Sequence, residues 1–168
     1  MIDSRWLAPQ QLRAWIRLVS VVELLPGSLD AQLRRDAQLT HFEYFALARL
    51  SEAPGRTLRM TALSAATNST LARLSHVIAR LEKRGYVGRT PCPQDRRATN
   101  VALTESGWQK VIETAPGHVA MVRESVIDAL DAADVADLDR IMGRVLARLD
   151  PSNRLRNWSD DGPTEAGE

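Results

Sequence analysis

Residues 61–104 read TALSAATNSTLARLSHVIARLEKRGYVGRTPCPQDRRATNVALT, and the order of elements in this stretch decides the fold. Thr61 opens a short helix carrying Leu63 and Ala66, and the polar run Thr67-Asn68-Ser69-Thr70 interrupts it. A longer helix follows over about 70–84. It places Leu71, Leu74, Ile78 and Leu81 on one face, at helical spacing, and Arg73, His76, Arg80 and Lys83 on the other. Gly85 stops it, because glycine takes the left-handed conformation at a helix C-terminus without a side-chain penalty. Two short β-compatible runs, 86–90 and 99–103, are joined by the basic, proline-stiffened stretch 91–98. Helix, tight polar turn, helix with a polar basic outer face, then basic hairpin is the arrangement of a helix-turn-helix with a wing.

The charge distribution follows the same boundaries. From Arg56 to Thr104 there are nine basic and two acidic residues, a net +7, whereas the whole 168-residue chain carries +1, so the remainder is −6. A basic block between acidic flanks suits a polyanion, although a solvated surface of uneven charge has the same composition. The groove chemistry of B-DNA assigns roles within the block. A helix fits the major groove, where base edges carry a distinct donor and acceptor pattern, and Arg73, His76 and Ser69 are suitable readers. Thr70 and Ser75 lie on the same helix beside them. Arg80 and Lys83, further along, suit phosphates. Arg96 and Arg97, on a narrow loop, suit the minor groove, with Asp95 orienting or screening them. An exposed basic stripe and an exposed turn are the plain readings of the same residues.

Outward from this block the chain is helical. Leu12, Trp15, Ile16, Val19, Val22 and Leu25 give an amphipathic helix over 9–25, which Pro26-Gly27 should kink or break before about two further turns. Thr40 with Glu43 three residues on is a capping box for the next helix. Thr104 starts another, with a kink expected at Pro116-Gly117, and a last one runs over about 134–149 with Val135, Leu138, Ile141, Met142, Val145 and Leu149 on one stripe. From Pro151 the chain is polar and acidic without an apolar face, and disorder is expected there.

The stretch 95–107 resembles the MarR family of bacterial winged helix-turn-helix regulators. Asp95-Arg96-Arg97 followed by Leu103-Thr104-Glu105-Ser106-Gly107 is similar to that family's Asp-x-Arg wing and the Leu-Thr-x-x-Gly beyond it. Residues 75–87 and the Leu39-Thr40-x-x-x-Tyr44 opening are also similar, and the resemblance spans about 11–149. It implies a mainly α fold with a small β-hairpin wing, helix 70–84 in the major groove, and Arg97 in the minor groove. It further implies a homodimer formed by the N-terminal helix and the last two helices. On this basis 1–36 is an N-terminal dimerisation helix, 37–104 the winged module, 105–150 C-terminal dimerisation helices and 151–168 a tail. A two-fold dimer would read a palindrome in double-stranded DNA, with repression the expected outcome. The resemblance also implies a cleft for a small amphipathic effector, which Trp15, Phe42, Phe45 and Trp108 could line, although aromatics at helical spacing are ordinarily core.

Other classes of function fit less well. The chain has no P-loop, Rossmann glycine pattern, Gly-x-Ser-x-Gly elbow or His-Glu-x-x-His, so no catalytic residue and no cofactor is expected. His41, His76 and His118 lie far apart in the chain, and no metal site is expected. The single cysteine, Cys92, sits in the wing, whereas redox-sensing relatives carry theirs in the N-terminal helix. No apolar run spans a bilayer and no signal peptide is evident, so a cytoplasmic protein without membrane contact is expected. A helical dimer that binds only protein partners remains the alternative. The salt dependence of DNA affinity separates the two.

Overall fold

The structure is a computed structural model describing residues 6–92 and 95–155, with only the backbone described for Arg96 and Arg97. Helices α1 (Pro9–Ala37) and α2 (His41–Glu52) lead through a 3₁₀ turn at Pro54–Arg56 to strand β1 (Thr57–Arg59). Helices α3 (Met60–Ala66) and α4 (Leu71–Lys83), strands β2 (Val87–Cys92) and β3 (Asp95–Leu103), and helices α5 (Glu105–Ser125) and α6 (Ala132–Leu149) follow. The antiparallel sheet has the order β1-β3-β2. The fold is thus mainly α with a small β wing, as expected from the sequence. No helix among the described residues is long and apolar enough to cross a membrane.

Local signals set most of the boundaries. Thr40 caps α2 by accepting the Glu43 N–H at 3.1 Å while its own N–H donates to Glu43 Oε2 at 2.8 Å. Thr70 caps α4 and Thr104 caps α5 with the side-chain half of this motif alone, accepting the Arg73 N–H at 3.2 Å and the Gly107 N–H at 3.0 Å. Gly85 ends α4 at φ +78°. The core lies where α2, α4 and the sheet meet, and Leu39, Leu47, Leu50, Leu74, Ile78 and Val101 are completely buried there.

Several expectations are corrected. Of the kink or break expected at Pro26-Gly27, the break does not occur: α1 continues through Pro26, as α5 does through Pro116. Proline removes one intrahelical hydrogen bond, but the second half of α1 buries Leu29, Leu33 and Ala37, which outweighs that loss. Helix α3 starts two residues early, with Arg59 rather than Thr61 at its N-cap and no side-chain cap. The wing is not a loop over 91–98: β2 extends to Cys92, β3 begins at Asp95, and Pro91 pairs with Thr99. Pro91 falls on an edge strand, beside a register irregularity at Pro91/Cys92, which is where a sheet tolerates proline. Pro93 and Gln94, at the tip, lie outside the described residues.

The expected tail is also shorter than read. Residues 151–155 fold back onto α2. Arg49, almost fully buried, donates from Nη2 to the Leu155 carbonyl at 2.8 Å, and the buried Asp150 carboxylate accepts the Leu155 N–H at 2.7 Å. Disorder was expected from low hydrophobicity, but this docking is polar and leaves no apolar signature. Residues 156–168 lie outside the described residues.

Candidate nucleic-acid interface

Helix α4 is the centre of the site. At about 100° per residue, the meridian opposite the buried Leu74, Ile78 and Leu81 passes through Ala72, His76, Ala79 and Lys83, all exposed. Two alanines let the helix approach a surface closely, and the two longer side chains carry donors. No acidic residue lies on this meridian.

The flank facing α2 is basic and held in place. The Arg73 guanidinium stacks over the Phe42 ring, 4.4 Å from its centroid, and Arg80 Nε donates to Glu43 Oε1 at 3.0 Å. Arg84 donates to the Gln38 carbonyl at 2.9 Å. These contacts order long side chains in advance, which reduces the entropy they would lose on meeting a ligand. Glu43 therefore acts twice, closing the Thr40 capping box and anchoring the α4 cation. Its burial favours the neutral acid, but the Thr40 N–H and the Arg80 guanidinium outweigh that and hold its carboxyl below the ordinary glutamate range.

This contact yields a pH prediction. A depressed carboxyl contributes stability above its unfolded-state pKa, and that contribution is lost as pH falls through the folded value. Glu43→Gln should cost about 1–2 kcal/mol at pH 7. The deficit should shrink as pH falls below the ordinary glutamate range, where the unfolded state takes up the proton that the folded Glu43 resists. Urea unfolding of both proteins at pH 7 and at pH ~3.5 measures it. An equal deficit at both pH values would show that the charge on Glu43 is immaterial.

On the opposite flank, Glu82 pairs with Arg89 of β2 at 2.6 Å, joining the helix to the wing. Between them lies a cavity of about 390 Å³ lined by Ser75, Arg89, Thr90, Pro91, Ala98 and Thr99 among others. Helix and hairpin thus form one concave surface.

The other expected residues fall as follows. Thr70 and Ser69 build the turn: Thr70 caps α4, the Ser69 hydroxyl meets the Thr67 hydroxyl at 3.0 Å, and its carbonyl accepts from Ser64 at 2.6 Å. Asp95 pairs in register with Cys92, which is buried. Arg96 and Arg97 lie on β3, and their side chains are outside what the structure describes. The four aromatics do not surround one void. Trp15 is exposed on α1, Phe42 lies under Arg73, Phe45 stacks on His41, and Arg56 covers Trp108 at 4.0 Å.

Two histidines far apart in the chain are neighbours in the fold. His41 of α2 and His118 of α5 have ring centroids 6.4 Å apart, and Tyr44 lies 4.7 Å from His118. Burial pushes both imidazoles below their usual range, and His41 lowers His118 further. Seventy-seven residues of sequence separate them, so no local pattern could reveal the pair. Among the described residues no group of three or more His, Cys, Asp or Glu could hold a metal ion.

A short helix, a polar turn, a recognition helix with an exposed donor-bearing meridian and a hairpin beside it define a winged helix-turn-helix module. The MarR family model matches residues 39–99. Sco3205, a MarR family transcriptional regulator from Streptomyces coelicolor solved in complex with DNA, is 41% identical with a TM-score of 0.84, covering 91% of this chain and 96% of that one. AbsC, a MarR family regulator from the same organism, is 36% identical with a TM-score of 0.81, covering 88% and 99%. The transcriptional repressor MprA of Escherichia coli is 28% identical over 107 residues, 64% of this chain and 60% of that protein. The chain belongs to the MarR family.

Proposed function

We propose that the protein is a sequence-specific regulator of transcription that binds a palindromic operator as a homodimer and represses from it. Helix α4 lies in the major groove, with Arg73 and His76 at base edges and Arg80 and Lys83 at phosphates. Ser69, Thr70 and Ser75 support its approach. Arg96 and Arg97 reach the minor groove from the wing beside Asp95.

The exposed meridian of α4, backed by an apolar core and flanked by fixed arginines, carries this reading. The solved DNA complex of Sco3205, at 41% identity, supports it. The dimer rests on a second feature, the apolar surface that one protomer leaves uncovered on α1 and α6. On α1 Trp15, Ile16 and Val22 are exposed, and α6 has no buried residue at all. Stripes of this kind mark association surfaces. On this division 1–36 and 105–150 serve dimerisation and 37–104 reads DNA. That a small amphipathic effector modulates this binding is a subsidiary proposal, with no site for it placed among Trp15, Phe42, Phe45 and Trp108, which share no void.

Selection from a random duplex pool with the purified protein tests the whole reading. The expected product is an inverted repeat with half-sites about one helical turn, ~34–36 Å, apart. Recovery of single half-sites without dyad symmetry would refute the dimeric mode, and recovery of nothing would refute DNA binding.

A further inference from the structure

Residues 60–72, MTALSAATNSTLA, contain no charged side chain. In a bound helix-turn-helix the first helix crosses the phosphate backbone, and cations at phosphates supply most of the sequence-independent affinity. The α3 segment therefore lacks the side chains that its position calls for. The chain brings one from elsewhere.

Arg154 lies beside the α3–α4 turn and shares a surface depression of about 280 Å³ with Thr61, Ser64, Asn68, Ser69 and Leu71. Two buried charges hold the segment that carries it. Asp150, 3% exposed, accepts the Leu155 N–H and, at 3.2 Å, Arg154 Nε. Arg49, 6% exposed, clamps the Leu155 carbonyl at 2.8 Å and the Ala66 carbonyl, the last of α3, at 3.3 Å. The docked segment is thus tied to the helix-turn-helix through main-chain groups that do not depend on the Arg154 side chain.

That side chain is about half exposed, and among the described residues only its Nε has a partner. Its two terminal amino groups have no partner among the described residues, and a guanidinium fork suits phosphate. We propose that Arg154, delivered by the docked segment 151–155, is a further phosphate-contacting residue of the DNA interface. It supplies the α3 side of the module with the cation that α3 itself lacks. The assignment rests on the DNA-binding reading above. The contact is sequence-independent and occurs twice per dimer.

The experiment compares full-length wild type, Arg154→Ala and Arg154→Lys on the best duplex recovered by selection and on an unselected duplex of the same length. Anisotropy is measured from ~50 to ~200 mM salt. Arg154→Ala should weaken binding to both duplexes alike, by about tenfold. It should also flatten the slope of log affinity against log salt by about two for the dimer. Arg154→Lys should keep the wild-type slope, and thermal unfolding should be nearly the same for all three. An unchanged slope in Arg154→Ala would overturn the assignment while leaving DNA binding by α4 and the wing intact. Equal weakening in the alanine and lysine variants would overturn it in favour of a structural role. Failure of the wild type to bind either duplex would remove the DNA reading itself.

Discussion

Replacing Gly107 with alanine is expected to lower the thermal midpoint by about 6–12 °C, corresponding to roughly 3 kcal/mol for a chain of this size. A Cβ at this position would lie 2.0 Å from the Tyr86 carbonyl oxygen and 2.8 Å from Leu103 Cδ1. The leucine tip can rotate away, but the carbonyl cannot. Tyr86 donates its N–H to the Leu81 carbonyl at 3.0 Å and accepts the Thr104 N–H at 3.1 Å. The neighbouring Gly85 carbonyl accepts the Thr104 hydroxyl at 2.7 Å. The end of α4, the start of β2 and the cap of α5 are therefore locked into one knot, and α5 must tilt out of it to admit a methyl group. Gly88→Ala is the control, since nothing lies within 4 Å of the added atom. Circular dichroism melts of the two variants measure the difference. A shift below about 2 °C for Gly107→Ala would show that the start of α5 yields freely. The tilt would also move the wing relative to α4, so DNA affinity should fall with stability in this variant.

The same knot shows why some features were legible in the sequence and others were not. Helix α4 was readable because its evidence is local: a cap at Thr70, apolar residues at helical spacing, and a glycine stop at residue 85. The capping box of α2 was readable for the same reason, but the second role of Glu43 was not, because Arg80 lies 37 residues away. Where a local penalty opposed tertiary burial, local reasoning failed. Pro26 argued for a break in α1, yet burial of Leu29 and Leu33 carried the helix through it. Prolines 91 and 93 argued for a loop, yet pairing along the edge of β3 extended β2 to Cys92. Polar docking was the least visible of all. The hydrogen bond from Arg49 to Leu155 spans 106 residues and leaves no hydrophobic pattern, so a segment read as tail proved to be part of the fold. The recognition helix was thus legible in outline, whereas the side chains that pre-order it and the segment docked beside it required the three-dimensional arrangement.

Ile141→Lys is expected to separate the proposed dimer into protomers and to reduce affinity for a palindromic duplex on the order of a hundredfold or more. Two linked modules on two half-sites bind with an avidity that one module cannot reach. The position is chosen so that the protomer itself is undisturbed. Ile141 is 44% exposed on a helix with no buried residue, and surface changes of this kind ordinarily shift stability by less than about 0.5 kcal/mol. Asp137, one turn earlier, even favours a lysine at this spacing. At an interface the result differs, because burying an added ammonium costs several kcal/mol, and Asp137, already paired with Arg140 at 2.8 Å, does not offset the lost hydration. The added positive charge would by itself raise affinity for duplex, so a fall in binding cannot come from lost electrostatic attraction. Sedimentation equilibrium and anisotropy on the same preparation give the two readouts. A variant that sediments as wild type would exclude this face of α6 from the interface. A monomeric variant with wild-type affinity would show that α4 and its wing bind DNA as an independent single module, with no need of a two-fold operator.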